Sequence, residues 1–171
     1  MKVSPSLLKW VLRTYPPFLF QRIWVQRVHE DFKGIDVKIR KSFLNINSNK
    51  TVFGGTIFSA LDPIHSILFH LILKQNGLKK SIAWLKSAKI NYLKPGTTDL
   101  YYSVVINDDD IEEAKYEIKK NGKIVKTFTT EVFDKTGLKC AVCENEIYIR
   151  DLTFDFSKLP QTTELEKEIH I

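Results

Sequence analysis

The chain has 171 residues, 43% of them apolar, and carries 26 lysines and arginines against 20 aspartates and glutamates for a net charge of +6. This length and apolar content fit one globular domain with its own core and exclude a disordered chain. The positive excess favours an anionic partner or serves solubility alone, and two cysteines, Cys140 and Cys143, are too few for a disulfide framework.

Ser4 and Ser6 are N-cap candidates for a helix over about residues 5–14, with Leu7, Leu8, Val11 and Leu12 on one side. Pro16-Pro17 ends it. The partial stripe Phe20, Ile23, Trp24 and Val28 predicts a second helix over about 18–29. With Arg13, Arg22 and Arg27 this lead is basic and amphipathic. It either rests on an anionic lipid surface or, as is commoner, packs across its own domain. The arginines break its apolar part and no small-residue cleavage site follows, so no secretory signal is expected and the chain reads as cytoplasmic.

Residues 35–44 alternate apolar and charged, as a half-buried strand does, and a loop with Asn45, Asn47 and Asn49 follows. A glycine pair, Gly54-Gly55, then opens a helix running to about Gln75, with Gly77 placed to cap its end. Beyond Asp62 this helix is apolar apart from His65, Ser66, His70 and Lys74. Its longest apolar run is too short to span a bilayer. An ionisable acid on such a helix is expected to be buried, which is costly unless it has partners or a task. Pro63 removes an N–H and clashes with the Ser59 carbonyl, so a bend is expected beside the acid. Asp62 either does chemistry or caps a half-helix restarting at Pro63, and both can hold. The glycines either bring backbone amides close to a ligand oxygen or let the helix pack tightly.

Strands are expected over 81–93, ended by Lys94-Pro95-Gly96, and over 99–107. Asp108-Asp109-Asp110 caps a short helix through about Lys115. Asn121-Gly122 reads as a hairpin turn, so residues 116–120 are either more helix or a strand pairing with 123–133. A last strand covers 138–150 and contains the Cys140/Cys143 pair. Its alternation sends positions three apart to opposite faces and no second ligand pair exists, so no metal site is expected. Basic residues are not interleaved with aromatics as in RNA-binding motifs, so no nucleic-acid partner is expected. One long apolar helix followed by antiparallel strands implies an α+β domain in which the sheet wraps the helix.

The run Phe53-Gly54-Gly55-Thr56-Ile57-Phe58-Ser59-Ala60-Leu61-Asp62, with Asn47 before it and Ile90-Asn91-Tyr92-Leu93-Lys94-Pro95-Gly96 after it, resembles the hotdog-fold acyl-CoA thioesterases of the phenylacetate-pathway type. The helical lead and the Asp-Pro pair look like a largely uncharacterised subgroup of that superfamily. The resemblance covers about residues 35–150. A helical lead over 1–33 and a polar tail over 157–171, which is expected to fray, flank a hotdog domain over 34–156, and for that domain the resemblance implies a curved antiparallel sheet around a long central helix. The resemblance departs at Phe53, where the motif has histidine.

The resemblance also implies an activity: hydrolysis of an acyl-CoA thioester to free acid and CoA, with coenzyme A as part of the substrate and no other cofactor. Asp62, supplied from the opposite subunit, would be general base or nucleophile, Gly55 N–H would hold the developing oxyanion and Asn47 would orient the water or carbonyl. Gly54, Phe53, Phe58, His65 and Ser66 would line the substrate. Lys94, with Lys86 and Lys89, either meets the CoA phosphates or forms a solvated strand face. His65 and Ser66 lie one turn from Asp62 and can pair with it. A homodimer or dimer of dimers is expected. The competing readings are a non-catalytic acyl-CoA-binding or regulatory module, motivated by Phe53, and hydratase or dehydratase chemistry, which calls for a pocket histidine.

Overall fold

The computed structural model describes residues 3–158. The expectation of a fraying tail over 157–171 therefore lies almost wholly outside the described residues. Helix α1 (Pro5–Thr14) starts at Ser4, whose hydroxyl accepts from the Leu7 amide, and a short α2 (Pro16–Phe20) follows. Strand β1 (Ile23–Val28) and strand β2 (Gly34–Ile39) come next, and then the long α3 (Gly54–Gln75). The remainder is β3 (Ser81–Tyr92), β4 (Leu100–Val105), α4 (Asp108–Asn121), β5 (Lys123–Asp134) and β6 (Lys139–Asp151). The strands form one antiparallel sheet in the order β1-β2-β4-β5-β6-β3, curved around α3.

Two expected elements are corrected. Residues 23–28 are not helix but the edge strand β1, so the sheet begins inside the basic lead. Ile23 and Val25 face the core and alternate as a strand should, but a bulge between Val25 and Arg27 resets the phase and turns Val28 inward. That one-residue slip mimics a helical stripe. The strand expected over 35–44 stops at Ile39.

The open choice at 116–120 resolves as helix. Helix α4 continues to Asn121, and Gly122, at φ 71°, is its left-handed C-cap rather than a hairpin turn. Asn107 and Asp110 form a reciprocal capping box at its start.

The lead packs across its own domain. Arg13 Nε donates to the Val25 carbonyl at 2.8 Å beside the bulge, and the guanidinium lies over the Trp24 ring at 4.2 Å. Its charge thus holds α1 against β1.

Helix α3 is long and apolar enough, by length and composition, to cross a membrane, which the sequence reading had not granted it. Here its apolar side is the core: Leu61, Ile64, Leu68, Phe69, Ile72 and Leu73 are almost completely buried against the sheet. Each such side chain contributes roughly 1.5–3 kcal/mol, so packing rather than helix propensity fixes this element.

Candidate active site

The exposure of α3 is periodic. Gly54, Gly55, Phe58, Ser59, Asp62, Pro63, Ile67, His70 and Leu71 are half-buried, while the residues between them are buried. This leaves an incompletely covered seam along one side of a helix that the sequence suggests is wrapped all round. Asp62 lies on it. Its carboxyl is therefore half-buried rather than sealed in, and burial alone raises its pKa, with no charged or hydrogen-bonding partner contributing.

Helix α3 runs unbroken through Pro63, so Asp62 does not cap a restarted helix. The turn around Asp62 is instead gripped from the sheet. Tyr102 Oη donates to the Ala60 carbonyl, and Asn145 Nδ2 donates to the Leu61 carbonyl at 3.0 Å. Asn145 is fully buried and its Oδ1 lies 3.1 Å from Cys143 Sγ. Sequence reasoning missed both residues. A polar side chain at an inward strand position, such as Asn145 between Cys143 and Ile147, is the signal that was available.

The expected pairs with Asp62 do not form. His65 is buried, stacks on Phe128 with ring centroids 4.8 Å apart, and leaves Nδ1 without a hydrogen bond. Burial pulls its pKa down to about 4, so it is a neutral core side chain turned away from the seam. With His65 turned away from the seam, hydratase or dehydratase chemistry loses the histidine nearest Asp62 along the helix. Ser66 Oγ is also buried and unpaired.

At the helix start the glycines permit close approach of two aromatic rings. A Cβ on Gly54 would stand 3.0 Å from Tyr92 Cζ, and one on Gly55 would stand 2.3 Å from Phe53 Cε1. Tyr92 Oη also donates to the Gly54 carbonyl at 2.9 Å. The tight-packing reading of the pair is thus realised, yet the amides stay available: no side chain caps α3, and the first N–H groups of a helix have no intrahelical acceptor. Phe53, 55% exposed, brings an aromatic face where the motif histidine would bring a hydrogen-bonding ring.

Asn47 is occupied with its own loop. Its Oδ1 accepts from the amides of Asn49 and Thr51 and from the Thr51 hydroxyl. The loop is tied to the far side of the site by Val52 N–H donating to the Gly96 carbonyl at 2.8 Å. Asn47, Gly54, Tyr92 and Lys94 together line a cleft of about 370 Å³ at the helix start. Lys94 is exposed at this cleft, whereas Lys86 is paired with Glu146 at 2.9 Å. Phe58 lies on the seam between the cleft and Asp62.

Asp62 stands seven positions beyond Gly55, a rise of about 10 Å along the helix. The two groups of one chain therefore do not converge on one reacting carbonyl. Both cysteines are buried, and burial pushes the Cys143 thiol up to about 11, which leaves it protonated. Among the described residues no group of three or more His, Cys, Asp or Glu side chains is placed to hold a metal ion.

Residues 5–149 match the family described as a domain of unknown function, DUF4442. No curated protein matches. Among solved structures, a Pseudomonas aeruginosa protein of unknown function described as a probable thioesterase aligns with a TM-score of 0.76 at 13% identity, covering 88% of this chain and 97% of that one. A Chlorobaculum tepidum protein of unknown function gives 0.71 at 11% identity, over 88% and 98% of the two chains. A Haemophilus influenzae thioesterase gives 0.65 at 11% identity, over 90% and 95%. At these identities the likeness is one of fold: the chain has the hotdog architecture found in thioesterases.

Proposed function

Because the chain belongs to the DUF4442 family and has a hotdog fold, we propose that it hydrolyses an acyl-CoA thioester, with Asp62 as general base or nucleophile. The observation that carries this reading is the unpartnered, half-buried Asp62 carboxyl on the one open side of α3. Burial without a compensating partner lifts its proton affinity toward the range useful to a general base, and its position on the seam leaves it within reach of a ligand. Water adds to the thioester carbonyl carbon as Asp62 takes its proton, and the amide of Gly55 accommodates the oxyanion at the positive end of the helix. Collapse of that adduct breaks the C–S bond, and the proton that Asp62 took passes to the departing sulfur, so that the free acid and the CoA thiol leave and the carboxylate is restored. Lys94 at the mouth of the neighbouring cleft meets a phosphate of CoA.

The 10 Å gap along α3 implies that Asp62 and Gly55 act from different copies of the chain. Strand β3 is an edge whose outer side has no strand neighbour among the described residues, it is 12 residues long, and Ile82, Trp84 and Tyr92 on it are exposed. Antiparallel pairing of two such edges covers them and sets the two α3 seams beside each other in opposite directions. A homodimer is thus part of the proposal.

Phe53 favours a second reading, an acyl-CoA-binding module that does not turn over, because the helix start lacks the motif's polar ring. One experiment separates them. Thiol release is followed across a panel of acyl-CoAs with wild-type protein and Asp62→Ala. The expected loss in kcat is about 10²–10⁴-fold, with light scattering reporting a dimer for both proteins. Coincident rates remove Asp62 from the mechanism, and tight binding without release across the panel selects the binding module.

A further inference from the structure

We propose that the cleft between α1, α3 and the start of β3 is a chain-end site for an acyl tail bearing a neutral oxygen, a hydroxyl or oxo group, remote from its carboxyl end. The inference rests on the acyl-CoA reading for the direction in which the chain lies. The cleft has a volume of about 520 Å³, within the range of small-molecule sites. Its walls are apolar, built by Leu7 and Val11 of α1, Ile67 and Leu71 of α3, and Ile82 of β3. Among them sits Ser66, 7% exposed, whose Oγ has no hydrogen-bond partner. A buried hydroxyl left unpaired is unfavourable unless something else satisfies it, and the cleft it lines is where a partner can enter.

Two further polar groups share the cleft. His70 Nδ1 lies 3.3 Å from Ser81 Oγ. Burial and the nearby Lys74 both disfavour a charged His70, so these groups suit a neutral oxygen better than a carboxylate. Position along the helix supplies the connection. Asp62, Ser66 and His70 stand at successive four-residue steps of α3, each about 6 Å further on. A chain held at its thioester beside Asp62 and lying along the seam meets Ser66 one turn later and then the apolar walls. Sites that hydrogen-bond a substrate hydroxyl discriminate against the analogue without it more sharply than apolar pockets discriminate by size.

The test needs no thioester. Decanoic acid and a set of its mono-hydroxylated derivatives compete against a fluorescent fatty acid for the full-length protein. At least one hydroxylated acid is expected to compete about threefold to tenfold better than decanoic acid. Ser66→Ala is expected to erase that preference while decanoic acid still binds. Val11→Trp, which fills the cleft from a half-exposed position on α1, is expected to lose both acids. Equal competition in the wild type, a preference that survives Ser66→Ala, or no displacement by any acid overturns the proposal. Thiol release from acyl-CoAs with no fatty-acid binding rejects the cleft and leaves the hydrolase reading standing. Preferential acid binding by a protein that releases no thiol does the reverse.

Discussion

The two sides of α3 carry similar polar residues and treat them in opposite ways. Facing the sheet, His65 is packed flat on Phe128, while the Ala60 and Leu61 carbonyls receive donors from Tyr102 and Asn145. Facing the seam, Asp62 and Ser66 receive none. The sheet side fixes the helix in place and locks the unpaired His65 Nδ1 inside the packing, whereas the seam side leaves unused hydrogen-bonding capacity beside an open cleft. A polar group that is satisfied or locked inside reports on stability, whereas a sheltered group without a partner is available to a ligand.

The comparison can be broken first at His65, where the largest stability effect is expected. The unfolded chain protonates this histidine near 6.5 and the folded one only near about 4, so the unfolded state binds more protons between those values. Stability that is complete above that window is lost as pH falls through it, by about 3 kcal/mol. His65→Phe, which keeps a flat ring against Phe128, should blunt this loss. Urea melts at neutral pH and near about pH 5 check it, and an unchanged acid sensitivity would place the titrating group elsewhere.

Asn145→Ala sharpens the claim that the sheet side positions the site. It removes the donor to the Leu61 carbonyl and leaves a small void, for an expected cost of about 2–3 kcal/mol. A fall in Tm should be accompanied by a fall in kcat, since the released turn is the one that bears Asp62. A lower Tm with unchanged kcat would show that this clamp does not position the acid.

The smallest effect belongs to Asp62 itself. Its folded pKa is raised, so the native state holds the proton to higher pH than the unfolded chain does. Its contribution is present in acid and is lost as pH rises out of the ordinary carboxylate range through the raised value. Asp62→Asn should therefore gain on wild type as pH climbs, in thermal melts across that range. A variant that gains nothing would mean the carboxyl is as well solvated folded as unfolded.

Much of the fold was legible because it is written in local pattern. The period of α3, the alternation of the later strands, the cap at Ser4 and the glycine at 77 each depend on residues within a few positions of one another. The β1 strand was not legible, because its bulge breaks the alternation that would have announced it. Gly122 was ambiguous for a related reason: a left-handed glycine ends a helix as readily as it turns a hairpin, and only packing of Ile111, Ala114 and Ile118 decides.

The sequence by itself determined that an acid would stand two turns inside an apolar helix opened by two glycines, and that antiparallel strands would surround that helix. Tertiary structure alone decided which side of the helix stays uncovered, that His65 turns inward, and that the turn carrying the acid is held by donors 42 and 84 residues away in the chain. Helical period sets which residues share a face. Which face meets the sheet, and which carbonyls find a distant donor, follows from how the strands close around it.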